Sequence, residues 1–179
     1  MKYFSNSFSK MLLVLFVISI FNFSIPTLLK AQKIPTPTEH FGFYPGSDKM
    51  LFDYENLISY LQKLDQVSDE VSMEQIGLSP MGKPMYVMFI SSKENIQNLD
   101  KLKNINKELA LNPNLTQEQQ NEYINNGKVF FLFTLSMHST EVAPSQSLPI
   151  IAYDLITTTD PKVKSQLNDV VYMVVPNHN

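Results

Sequence analysis

Residues Val129 to Leu135 read Val-Phe-Phe-Leu-Phe-Thr-Leu, an apolar run with no alternation of polar positions. A strand that is half solvated alternates apolar and polar side chains; one apolar on both sides is suited to the middle of a sheet covered on both faces. A second run of this kind, Val170 to Val175, follows some forty residues later. Between them Leu148, Ile151, Ala152 and Leu155 fall on one helical stripe. Strand, helix, strand in this order predicts a crossover unit with a parallel pair, and so an α/β fold.

Directly after the first run comes Met137-His138-Ser139-Thr140-Glu141-Val142. Imidazole nitrogen and carboxylate oxygen are both good ligands for Zn2+. At positions i and i+3 on one turn, the two side chains can point at a single ion. A strand ending in such a turn delivers the pair to the rim of the sheet, where ligands bind in open α/β folds. His138 and Glu141 are therefore candidate metal ligands. The alternative is a histidine and a glutamate that only cap the following helix.

The rest of the chain supplies a scaffold. Leu57, Ile58, Leu61 and Leu64 recur at helical spacing within Asp53 to Val67, with Asp53 as the cap. Glu74 to Ser79 and Met85 to Ser91 have strand character and flank a Pro-Met-Gly-Lys-Pro turn. Met81, Met85 and Met88 are expected in the core, and Tyr54 and Tyr60 as packing residues. Glu94 to Leu109 is predicted as one amphipathic helix. Thr116 and Gln119 have the form of a capping box, opening a short polar helix to Tyr123, and Asn125-Asn126-Gly127 a turn. Pro144 suits an early helical position, whereas Pro149 removes a hydrogen bond within the helix. Asp160 and Pro161 open another short turn or helix. His40 reads as a loop histidine.

Composition narrows the function classes. The 179 residues carry a net charge of −3, with no basic stripe, which argues against a nucleic-acid partner. The absence of cysteine excludes disulfides, thiolate zinc sites and cysteine nucleophiles. Lys2 and Lys10 precede an apolar run from Met11 to Ile25, and Pro26 and Ala31 follow. Residues 1–31 thus read as a secretory signal peptide, or, if uncleaved, as an N-terminal membrane anchor. Either exports the remainder, so the expected location is secreted or periplasmic. Membrane contact is expected only through that segment. Residues 32–47 are rich in Pro, Gly and Thr and are expected to form an extended leader.

The order of these features resembles the carboxypeptidase A-like zinc metallocarboxypeptidases. Ile76 to Ser91, with Gly82-Lys83-Pro84, is similar to the family's opening hairpin. Gly127 to Leu135 is similar to the strand before the first metal ligands. His138 and Glu141 match the His-x-x-Glu pair, Val142 to Asp154 the helix after it, and Val170 to Val175 the next strand. Pro176-Asn177-His178-Asn179 resembles the approach to an Asn-Pro-Asp-Gly turn, of which Asn179 is the first residue. The wording around Glu141, with Val142 in place of a Trp, is nearer to divergent bacterial members than to digestive ones.

The resemblance implies the front part of a mixed-sheet zinc carboxypeptidase fold with helices on both faces, residues 48–179 forming the N-terminal part of the domain. It implies Zn2+ as cofactor, a peptide or protein substrate, and hydrolysis of C-terminal peptide bonds by a metal-activated water. The family's third ligand, a histidine, and its general-base glutamate lie further downstream, so His178 is not expected to be a ligand. No catalytic residue beyond the metal pair is expected here, and the chain alone is expected to be inactive. Its strand Val170 to Val175 is expected to leave an edge exposed. The alternative function is an exported non-catalytic binding protein, or a membrane-anchored one, on the same scaffold.

Overall fold

A computed structural model describes residues 33–178. The signal or anchor segment, residues 1–31, lies outside the described residues. Within them no helix is long and apolar enough to cross a membrane.

The elements run α1 (Pro37–Phe41), α2 (Tyr54–Val67), β1 (Val71–Leu78), β2 (Pro84–Ile90), α3 (Lys93–Gln97), α4 (Leu99–Leu111), α5 (Gln117–Asn126), β3 (Val129–Thr134), α6 (Val142–Thr157), α7 (Pro161–Asp169) and β4 (Val170–Val175). The four strands form one mixed sheet in the order β1-β2-β4-β3. β1 and β2 are an antiparallel hairpin, β2 and β4 are antiparallel, and β3 and β4 are parallel from Val129 opposite Val170 to Thr134 opposite Val175. The crossover pair expected from the two apolar runs is present. At the hairpin, Gly82 takes φ +76, a conformation that a β-carbon crowds.

Helices cover both faces, and strand alternation decides which residues meet them. Met88 and Ile90 of β2 and Val174 of β4 join Leu57, Tyr60, Leu61 and Leu64 of α2 and Leu148, Ala152 and Ile156 of α6 in one core. Val87 and Phe89 of β2 and Val171 of β4 point the other way, onto Leu99 and Leu102 of α4.

Several expectations need correction. The leader is not wholly extended. Pro37 begins a short helix, where proline's missing N–H is not needed. Thr36 and Glu39 close a capping box around its start. The Lys33 ammonium and the Thr36 amide beside Glu39 hold its carboxyl at about 2. The leader also packs: Ile34, Phe41 and Phe43 lie against the core, and the Tyr60 hydroxyl donates to the Pro35 carbonyl at 3.0 Å. The helix predicted over Glu94 to Leu109 is broken at Asn98, so it forms two, α3 and α4. The turn expected at Asn125-Asn126-Gly127 is instead the end of α5, with Gly127 as its cap. Met88 is buried as expected, but Met81 sits on the hairpin turn, 89% exposed.

The largest correction concerns the sheet edge. β4 is interior, paired on both sides, so it presents no edge. β3 is, with β1, an edge strand among the described residues, not a covered middle strand. Phe131 is 50% and Leu132 54% exposed, on opposite faces. The sequence pattern measures what a strand requires for burial; the described residues supply cover for only part of it.

Candidate metal centre

The parallel pairing brings the carboxyl ends of β3 and β4 to the same rim. Past Thr134 the backbone pairing continues, with Leu135 N–H donating to the Val175 carbonyl at 3.1 Å and His178 N–H to the Leu135 carbonyl at 2.9 Å. The chain then leaves the sheet at Ser136, whose φ of +50 is left-handed. A β-carbon is crowded there, at roughly 1 to 2 kcal/mol. The turn over Ser139 and Thr140 closes with Glu141 N–H donating to the His138 carbonyl at 2.9 Å.

That turn folds the two candidate ligands together. His138 Nδ1 and Glu141 Oε1 are 2.7 Å apart, and Glu141 Oε2 accepts from the His138 backbone N–H at 3.2 Å. Both side chains are open to solvent, at 71% and 48% exposure, so an ion could reach them. Two ligand bonds of about 2 Å each allow donors up to about 4 Å apart, and this pair lies inside that limit. Histidine nitrogen with carboxylate oxygen is a donor set that suits zinc.

The capping alternative does not describe Glu141. It occupies the position just before α6, yet its side chain makes no capping hydrogen bond. Its carboxylate turns back to His138 instead.

No group of three or more His, Cys, Asp or Glu able to hold a metal ion occurs among the described residues. His178 lines a neighbouring cavity of about 510 Å³ with Met81 and Lys83, not the cavity of His138. His40 is remote in role: Nε2 meets Ser59 Oγ at 2.9 Å, and the ring packs on Phe41 and Tyr60. Partial burial pushes the His40 pKa down.

Residues that sequence reasoning did not assign to the site line it. The pair opens into a cavity of about 270 Å³, walled partly by Phe52, Tyr54, Gln146 and Asn177. Gln146 fixes the loop before α2, accepting from Phe52 N–H at 3.3 Å and donating to its carbonyl at 2.8 Å. Beneath the turn two buried serines meet. Ser136 Oγ lies 2.6 Å from the Glu141 carbonyl and 2.6 Å from Ser145 Oγ, which in turn lies 2.7 Å from the Pro176 carbonyl. Nothing in the sequence marks either serine, because their partners are backbone carbonyls brought in by the fold.

A family model described as zinc carboxypeptidase matches residues 57–179. The chain belongs to the zinc carboxypeptidase family. The matched segment contains the hairpin, the parallel pair and the His138–Glu141 turn. Among solved structures, carboxypeptidase A from Helicoverpa armigera is similar at 14% identity and a TM-score of 0.50, over 79% of this chain and 30% of that one. A structure from Shewanella denitrificans, assigned as a carboxypeptidase A, is similar at 17% identity and a TM-score of 0.48, over 72% of this chain and 26% of that one. The Helicoverpa likeness supports the fold, and the chain spans less than a third of either relative's length. No curated protein sequence matches the chain significantly.

Proposed function

We propose that this chain is the front part of an exported zinc-dependent carboxypeptidase that hydrolyses C-terminal peptide bonds, with His138 and Glu141 as two protein ligands of the metal. The observation that carries the reading is their convergence at 2.7 Å on the sheet rim, within the segment that matches the family. Zinc held there would supply a Lewis acid for the scissile carbonyl and a bound water whose pKa is lowered toward 7.

This chain's own contributions are ligation and shape. His138 N–H holds one carboxylate oxygen of Glu141, leaving the other beside the ring. The neighbouring cavity offers room for the end of a peptide. Catalytic zinc sites use three protein ligands plus water, and among the described residues no third such donor groups with the pair. The 179-residue chain by itself is therefore expected to bind zinc weakly and to release no amino acids from peptides. Export rests on the N-terminal sequence pattern alone.

The test is equilibrium dialysis of the purified chain against Zn2+, alongside release of C-terminal amino acids from a mixed peptide pool. Weak single-site binding that falls to background in His138→Ala and in Glu141→Ala, with no turnover, is the expected result. Zinc binding indifferent to both substitutions would remove the pair from the site. Turnover by the chain alone, abolished by His138→Ala, would refute the view that the remaining machinery lies outside it.

A further inference from the structure

The start of α6 is capped in an unusual way. The residue before a helix commonly uses its own side chain to satisfy the first amides. Glu141 stands there and does not do so. Pro144, the third helical residue, has no N–H. The next amide, that of Ser145, donates to Ser136 Oγ at 3.3 Å, and the same oxygen lies 2.6 Å from the Glu141 carbonyl. Those are the two backbone groups that a regular first turn joins directly. The Ser136 hydroxyl therefore stands between them, supplied from before the turn. The Glu141 carboxylate is thereby left to face His138.

The Ser145 hydroxyl extends this connection to the Pro176 carbonyl at the end of β4. The path runs from Glu141 through Ser136 and Ser145 to Pro176, joining a candidate ligand's backbone to both parallel strands. Both serines are buried, at 8% and 6% exposure. With the Ser136 O–H donated to the Glu141 carbonyl and the Ser145 O–H to the Pro176 carbonyl, the Ser145 N–H on Ser136 Oγ completes the path, so losing either hydroxyl breaks it. Ser136 also holds a left-handed backbone that a glycine would adopt without strain. A strained residue of this kind persists where its surroundings over-determine it, often at a functional site.

We propose that Ser136 and Ser145 are positioning residues for the His138–Glu141 pair, clamping the Glu141 backbone to the ends of β3 and β4 so that its carboxylate is presented beside the imidazole. The functional consequence rests on the reading of that pair as a metal site; the clamp itself rests on geometry alone.

The experiment uses the full 179-residue chain and the variants Ser136→Gly, Ser145→Ala and Ser145→Thr. Ser136→Gly removes the hydroxyl while accommodating the backbone; Ser145→Thr keeps a hydroxyl. Amide hydrogen exchange of Glu141, without metal, should accelerate about tenfold or more in Ser136→Gly and Ser145→Ala, return toward the parent rate in Ser145→Thr, and leave α2 and β2 amides unchanged. Zn2+ titration followed by the His138 ring signals in NMR should show affinity about tenfold weaker in the first two variants and restored in the third. An unchanged Glu141 exchange rate overturns the clamp, whatever zinc does. A zinc affinity that depends on His138 but not on either serine overturns the positioning role. If His138→Ala leaves zinc binding unaltered, the metal reading fails and the positioning role with it, while the exchange data alone then decide the clamp.

Discussion

Two serine-centred networks in this chain use the same chemistry at opposite ends of the sheet. At the end of β2, Ser91 Oγ lies 2.8 Å from the carbonyls of both Leu167 and Val170, and Asn95 Nδ2 donates to Ser91 Oγ, Leu167 and Asn168 at 2.9 to 3.1 Å. At the end of β3, Ser136 and Ser145 link Glu141 to Pro176. Both are buried, and both fasten a strand end to a helix end. The first closes the carbonyls that α7 leaves unpaired at its C-terminus, a need that every helix has. It does so without backbone strain at either residue. The second holds a left-handed serine and caps a helix whose own N-cap residue is turned elsewhere. The difference separates a fastening that keeps the fold from one that aims a side chain.

That contrast can be broken by substitution, and the largest effect is expected at Asn95. Asn95→Ala removes a side-chain donor to the buried Leu167 carbonyl and the part-buried Asn168 carbonyl and should lower unfolding stability by about 1 to 2 kcal/mol in urea titration, with zinc binding unchanged. A loss confined to zinc binding would erase the distinction between the networks.

A smaller effect is expected at Ser136. Ser136→Ala keeps the strain and loses the hydroxyl, whereas Ser136→Gly loses both. The glycine variant should exceed the alanine variant by about 1 kcal/mol in the same titration. Equal stabilities would mean that the left-handed backbone at Ser136 carries no strain.

The exposed edge strand sets a third test. Leu132→Lys on β3 should change stability by less than about 0.5 kcal/mol, because the side chain is 54% exposed, yet reduce self-association in light scattering. Unchanged association would place the sticky surface elsewhere.

The smallest effect is a pH dependence remote from both networks. Burial depresses the His40 pKa below its ordinary 6.5. The unfolded chain then takes up the proton first, so stability is full above about pH 6.5 and declines as pH falls from there toward the folded-state value. His40→Gln should flatten that slope in denaturation curves recorded between pH 7 and 5. A slope identical to the parent's would assign it to other groups.

Much of the fold was legible because periodicity and turn chemistry are local. The stripe Leu57, Ile58, Leu61 and Leu64, the Thr116–Gln119 box and the Gly82 turn each carry their own instruction. The parallel pair followed from two apolar runs and the helical stripe between them. What was not legible depends on distant partners. The helix at Pro37 rests on Thr36, Glu39 and packing against α2, which override the proline-rich composition. The place of β3 at the edge depends on what covers it, and an apolar pattern states only the demand. In the candidate site, residue type and spacing single out His138 and Glu141. They do not single out Ser136 and Ser145, because a serine's role here is set by a backbone angle and by carbonyls up to 31 residues away.

The central claim is that one metal ion binds between His138 and Glu141. Anomalous diffraction at the zinc absorption edge, from crystals of the chain equilibrated with Zn2+, tests it directly. The account predicts a peak about 2.0 to 2.2 Å from both His138 Nδ1 and a Glu141 carboxylate oxygen. Zinc found only at His40 or His178, or no peak beside the pair at saturating Zn2+, would contradict it.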